Sequence, residues 1–160
     1  MMGDIPEDVL VRVSTQAADD FVKTYYQALD SAKNLASFYI QAADIWLNGN
    51  NIPDPQQLQT FFKDKVGNCQ YDAQSHDCSV LNQNCNIGAP DNALGPSSDG
   101  SKMSILVLVS GSVKYKDSSD EARGFTESFT LVPNFEPHSQ KAPKGLKKWL
   151  IQSQTFRLVV

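Results

Sequence analysis

Phe38-Tyr39-Ile40-Gln41-Ala42-Ala43-Asp44-Ile45-Trp46-Leu47-Asn48-Gly49-Asn50-Asn51-Ile52 decides how this chain folds, because the hydrophobic period changes within it. Before this stretch, apolar residues recur every three or four positions, as on one side of a helix. Across it, the pattern turns to short strand-like apolar pairs that end at Asn48-Gly49, a strong turn signal. Ala43 to Leu47 therefore reads as a first strand, closed by Asn48-Gly49-Asn50. The stretch divides a helical front end from a β-rich remainder.

On the N-terminal side, Asp4-Ile5-Pro6-Glu7 reads as a helix start with Asp4 as cap and Pro6 in the first turn. Leu10, Val13, Ala17, Phe21, Tyr25 and Leu29 follow at helical spacing and define one buried face. Asp30-Ser31 breaks the pattern, and Leu35, Phe38 and Tyr39 read as a short second helix. On the C-terminal side, Pro53-Asp54-Pro55 opens a third helix. Asp54 is its cap, Leu58, Phe61, Phe62 and Val66 form its apolar face, and Gly67-Asn68 is its stop. Cys69 to Leu81 is extended and half-exposed.

Residues 82–102 hold Gly88, Pro90, Gly95, Pro96, Gly100 and several serines, which predicts a long surface loop inserted between two strands. Met103 to Tyr115 is the strongest strand, apolar on both alternating sets, with Gly111 marking a bend or bulge. Phe125 to Val132 alternates, with Phe125, Phe129 and Leu131 on one face and Thr126, Ser128 and Thr130 on the other. A second loop, Asn134 to Gly145, precedes a last strand over Lys147 to Val159.

Helices followed by long antiparallel strands make an α+β domain whose helices cover one sheet face. The other face is the candidate functional surface. On the last strand, Leu150, Phe156 and Leu158 are assigned to the core by alternation. Trp149, Ile151, Ser153, Thr155 and Arg157 are assigned to the outer face. Leu106 and Leu108 join them from the central strand, and Thr126, Ser128 and Thr130 from its neighbour. A broad face that is part apolar and part hydroxyl-bearing fits a protein interface.

Bulk properties narrow the function. The chain has 160 residues, 41% hydrophobic and 20% charged, with a formal charge of −4. That is one domain's worth of sequence, and it is not the basic composition of a general nucleic-acid binder. The longest apolar run, Ile105 to Val109, is too short for a bilayer, and the acidic N-terminus carries no secretory signal pattern, so no membrane association is expected. Cys69, Cys78 and Cys85 are odd in number and lack metal-site spacing, so free thiols in a reducing compartment are expected, with no metal and no cofactor. Lys141, Lys144, Lys147 and Lys148 cluster closely. They fit either a weak, salt-sensitive contact to RNA phosphates or a solvated loop, the plainer alternative. His76 and Asp77 raise acid–base chemistry, but no second member accompanies them, and His138 sits in a proline-containing loop. Trp46 is assigned to the core.

Phe21-Val22-Lys23-Thr24-Tyr25-Tyr26, Phe38-Tyr39-Ile40 and Trp46-Leu47-Asn48-Gly49-Asn50 resemble the front half of a nuclear transport factor 2-like domain. Gly111-Ser112-Val113-Lys114, Gly124-Phe125-x-x-x-Phe129-x-Leu131 and Phe156-Arg157-Leu158 resemble its back half. The Asn-Gly-Asn turn and the Gly-Ser-Val-Lys segment look most like one branch, the small subunit of the heterodimeric mRNA export receptor. The resemblance implies a single cone-shaped domain over residues 1–160, with helices on a strongly bent antiparallel sheet. It implies a non-catalytic protein that pairs through its outer sheet face with a similar domain of a large subunit. It also implies passage of messenger ribonucleoprotein through the nuclear pore by contact with phenylalanine-glycine nucleoporins, and shuttling between nucleus and cytoplasm. Arg157 matches the position of a cross-interface ion pair in this branch. Two alternatives share the fold: a homodimeric import carrier for Ran-GDP, and a small-molecule isomerase or dehydratase. The first is opposed by the neutral Asn48, where an acid stands in the import carrier, although Asp120 and Glu121 leave some acidity elsewhere. The second is opposed by the absence of a recognisable acid–base pair.

Overall fold

The apolar stripe of the N-terminal segment is one side of a 25-residue helix, α1 (Glu7–Ser31), which buries Ala17, Ala18, Phe21, Val22, Tyr25, Tyr26 and Leu29. The computed structural model describes residues 5–66, 69–91, 94–95, 97–115, 121–135 and 147–159. The expected cap Asp4 lies outside these. The helix starts instead on the Pro6 carbonyl, which accepts the N–H groups of Val9 and Leu10, and Glu7 and Asp8 in the first turn suit the positive end of the helix dipole. It ends with Ala32 in the left-handed region (φ 51°), where the Lys33 N–H reaches back to Ala28 O and the Ala32 N–H to Leu29 O.

The segment predicted as a second helix is only a 3₁₀ turn, Leu35–Phe38, and strand β1 (Tyr39–Leu47) starts four residues earlier than predicted. Leu35 and Phe38 are buried in that turn, and Tyr39 is already extended. A β-hairpin through Asn48-Gly49 leads to β2 (Asn50–Ile52). Helix α2 (Pro55–Phe61) begins as its sequence dictates. Asp54 Oδ1 accepts the Gln57 N–H at 2.9 Å and Pro55 fills the first position. A π-helical turn, Phe62–Val66, continues it; the expected stop at Gly67-Asn68 lies outside the described residues.

Strands β3 (Cys69–Asn82), β4 (Ser104–Tyr115), β5 (Arg123–Pro133) and β6 (Trp149–Leu158) complete a six-stranded sheet in the order β2-β1-β6-β5-β4-β3. Every pairing is antiparallel except β1 with β6, which is parallel. The α+β architecture is the expected one, with a mixed sheet in place of an all-antiparallel one. Joining the first strand of the chain to the last is what places β1 next to β6, and it makes the N-terminal and C-terminal thirds interdependent.

The residues predicted as a loop at 82–102 are cross-tied where described. The Cys85 N–H donates to Lys102 O at 2.6 Å, the Ser97 N–H donates to Asn84 Oδ1, and Gly100 lies against Val13 of α1. Cys69 and Cys85 are buried, and none of the three thiols is in a disulfide. Burial pushes the Cys69 thiol up to about 11, which makes it unreactive at neutral pH.

The core is aromatic. Phe21 and Tyr25 of α1 pack edge-on against Phe129 at 4.8 and 5.1 Å, and Phe125 stacks on Phe156 at 5.5 Å. Inside it lies a polar cluster whose members, judged by polarity alone, belong at the surface. The Gln154 amide donates to Tyr25 Oη and to Glu127 Oε2, and its carbonyl accepts from Tyr39 Oη. Tyr25 and Tyr39 bond each other at 2.9 Å, and Tyr26 Oη donates to Glu127 Oε1 at 2.6 Å. No buried polar side-chain atom among the described residues is left unpaired. Burial pushes the Glu127 carboxyl from 4.5 up to about 7, against the opposing pull of its bonds from Tyr26 and Gln154. Burial also raises Tyr25, Tyr26 and Tyr39 well above the ordinary tyrosine value.

Two expectations follow. Because Glu127 holds a proton more tightly when folded than unfolded, its stabilising contribution is complete below about pH 4.5 and is lost as pH rises through about 7. Glu127→Gln should flatten this slope, by on the order of 3 kcal/mol between those limits, in urea unfolding at pH 4.5 and pH 8. Parallel profiles for the two proteins would refute the assignment. Gly111 marks a bulge on the opposite strand, at Ala73/Ser75 of β3. A Cβ at Gly111 would sit 2.0 Å from the Asp72 carbonyl oxygen. Gly111→Ala should cost about 2–4 kcal/mol, whereas Gly88→Ala, with open space around it, should cost about 1 kcal/mol through its positive φ. Thermal unfolding of both variants separates the two effects.

Candidate partner interface on the outer sheet face

Strand registers arrange the outer face as three rows of side chains. The middle row runs Trp46 (β1), Thr155 (β6), Ser128 (β5), Leu108 (β4), Asp77 (β3). On one side of it lie Arg157, Thr126 and Ser110. On the other lie Asp44, Ser153, Thr130 and Leu106. Residues directly opposite on paired strands share a face, so these side chains form one surface. Eight of the ten residues assigned to the outer face from sequence are brought together here: Arg157, Thr155, Ser153, Leu106, Leu108, Thr126, Ser128 and Thr130.

Ile151 and Trp149 are not among them. The β5–β6 register slips after Ser153, so that Thr130 faces Ser153 but Leu131 faces Ile151. This bulge at Gln152 inverts the parity of everything before it. Ile151 is therefore fully buried, Trp149 packs on the core with its indole N–H on Met103 O at 3.0 Å, and Leu150, assigned to the core, moves to the opposite side. The correction runs the other way for Trp46. Its size suggests the core, but it stands on the outer face, 39% exposed, with its Nε1–H on Asp44 Oδ1 at 2.9 Å. The signal was present in the alternation: Ala43, Ile45 and Leu47 are buried, and Trp46 shares its parity with Asp44.

Arg157 is exposed, and its guanidinium lies over the Asn48-Gly49 turn, where a Cβ on Gly49 would come 3.7 Å from Nη2. The turn is stitched to β6 on either side of Arg157. The Asn48 N–H donates to Phe156 O, and Asn48 Oδ1 accepts the Leu158 N–H, both at 2.9 Å. Asn48 adopts φ 51°, a conformation that asparagine tolerates better than most residues. A concavity of about 590 Å³ opens on this face between Arg157 and Asp77, floored by Thr126, Ser128 and Leu108.

The lysine cluster is not assembled among the described residues, because Lys141 and Lys144 lie outside them, as does His138. Lys147 is committed elsewhere: its Nζ bonds Ser37 Oγ at 3.0 Å and sits 4.3 Å from the centre of the Phe38 ring, and burial lowers its pKa. Lys148 is exposed. A separate cleft of about 690 Å³ runs from Val13 and Phe21 of α1 to Trp149 and Lys147. His76 points to the helical side and bonds Asp19 of α1 at 2.7 Å.

The expectation that the cone lacks an acid–base pair is corrected by Glu127 and Tyr26. Their side-chain polar atoms are engaged with protein groups. Glu127 is among the residues lining the outer concavity, but Tyr25, Tyr26, Tyr39 and Gln154 line neither concavity. No group of three or more metal-ligating side chains occurs among the described residues, and no helix among them is long and apolar enough to cross a membrane.

Known proteins share this architecture. The bovine (Bos taurus) protein NTF2-related export protein 1 is 24% identical over 157 residues, covering 98% of this chain and 96% of the relative. A chain in the structure of the Chaetomium thermophilum Mex67 NTF2-like domain complexed with Mtr2 superposes with a TM-score of 0.79 at 27% identity, covering 91% of this chain and 98% of that one. A structure of Mtr2 superposes with a TM-score of 0.75 at 25% identity, covering 91% and 99%. The pattern of the nuclear transport factor 2 (NTF2) domain matches residues 17–158, and the chain therefore belongs to the NTF2 domain family.

Proposed function

We propose that this protein is the small, non-catalytic subunit of a heterodimeric mRNA export receptor. It pairs through its outer sheet face with the NTF2-like domain of a large subunit of the Mex67 kind. The observation that carries this reading is the similarity, along nearly the whole chain, to a chain of a Mex67 NTF2-like domain–Mtr2 complex, together with an outer face that leaves Trp46 and Leu108 exposed. Large side chains kept out of a well-packed core, beside an exposed arginine and a field of hydroxyls, fit a surface that is covered in use. Arg157 is the charged anchor of the pair. Such a subunit acts by completing the large subunit's fold and supporting passage of messenger ribonucleoprotein past phenylalanine-glycine nucleoporins, shuttling between nucleus and cytoplasm. RNA contact through Lys148, Lys141 and Lys144 is weak and salt-sensitive in this reading.

The homodimeric import carrier for Ran-GDP is the second reading. Asn48 weighs against it, since its amide oxygen accepts the Leu158 N–H of β6 and brings no negative charge. The isomerase or dehydratase reading is weaker still, because the inner carboxyl and hydroxyls are used by one another.

Mixing the purified chain with the NTF2-like domain of a Mex67-type subunit tests the proposal by light scattering and calorimetry. A stable 1:1 complex is expected. Trp46→Ala and Arg157→Ala should each weaken it by about 2–4 kcal/mol, roughly 30- to 1000-fold in Kd. A chain that ignores this domain, pairs with itself and binds Ran-GDP would overturn the proposal in favour of the second reading.

A further inference from the structure

The concavity on the outer face has charge at both ends, and only one end belongs to the expected ion pair. Arg157 stands on β6 and Asp77 on β3, with β5 and β4 between them. At about 4.8 Å per strand and one two-residue step along the sheet, the two charged positions are on the order of 16 Å apart. Asp77 is exposed and shares its face with Leu108, its direct partner in the register. Its Oδ1 accepts the N–H of the next residue, Cys78, at 2.8 Å. Neither Asp77 nor Arg157 has an ion-pair partner among the described residues; the one such pair there is His76 with Asp19, on the helical side.

A partner that covers Trp46, Leu108 and Arg157 also closes over Asp77, since all four belong to one surface. A carboxylate covered without a counter-charge destabilises a complex, whereas one met by a cation contributes orientation and specificity. We propose that Asp77 is a second charged anchor of the pairing face. The partner is an NTF2-like domain that presents a carboxylate to Arg157 and a lysine or arginine to Asp77. Opposite charges at the two ends give the face a polarity: a partner docked the other way round sets like charges against each other, so the pair also selects one orientation. This inference rests on the heterodimer reading above and names a contact that the reading does not contain.

The test uses the full chain and the Mex67-type NTF2-like domain, with Kd measured at about 0.05 M and about 1 M salt. Asp77→Lys should weaken pairing about tenfold or more at low salt, Asp77→Asn by less, and both losses should shrink at high salt as the charges are screened. Because Asp77 is exposed, the free variants should keep the wild-type unfolding transition. If Asp77→Lys stays within about twofold of wild type while Arg157→Glu abolishes the complex, the second anchor is refuted and the heterodimer reading stands. If wild type forms no complex with that domain, the heterodimer reading itself falls. If the chain instead pairs with itself and Asp77→Lys breaks that dimer, the partner assignment is overturned.

Discussion

Gln154 is the side chain on which most of the architecture converges. It sits mid-way along β6 and bonds Tyr25 of α1, Tyr39 of β1 and Glu127 of β5. An amide has a donor end and an acceptor end, so it can close a ring with two tyrosine hydroxyls and still donate to a carboxyl. In a low-dielectric core such a network is stabilising only when every member is satisfied. That requirement fixes the inward parity of β6 at residue 154 and, with it, the outward parity of Ser153, Thr155 and Arg157. The inner polar cluster and the outer pairing face are two sides of one constraint.

The two faces of the sheet follow different physics. Inside, Phe129, Phe125 and Phe156 pack against the α1 aromatics, and polar atoms survive only where they bond one another. Outside, the middle row sets Thr155 and Ser128 between Trp46 and Leu108. Short hydroxyl side chains satisfy a strand's propensity for branched or small polar residues while leaving the surface soluble before it is covered. The Asn48-Gly49 turn is tied to the β6 backbone on either side of Arg157, which sets where along the sheet the arginine leaves the strand.

The resemblance in the first-strand turn acquires a structural cause from these contacts. Asn48 is suited to its place by its left-handed backbone and by the amide oxygen that receives the Leu158 N–H. The same residue that ends the first strand therefore joins the first third of the chain to its last strand. The parallel β1–β6 pairing has no counterpart in local sequence, because it links segments more than 100 residues apart.

Local chemistry alone determined the long helix, the capped start of α2 at Asp54, the strands after residue 69 and most of the outer face. Each rests on a period or a turn preference carried by neighbouring residues. Only the tertiary structure decided the rest. Period-2 alternation carries a strand's parity until a bulge intervenes, and the bulge at Gln152 is set by pairing with β5, so Ile151 and Trp149 could not be placed from β6 alone. Glu127 and Gln154 share the inward parity of Phe125 and Phe156 but look like surface residues by their polarity, and they are buried because tyrosines from α1 and β1 supply their bonds. Trp46 looks like core by its size, although its parity with Asp44 already marks it as outward. Hydrophobicity is a property of a residue, but burial depends on what the rest of the chain brings to meet it.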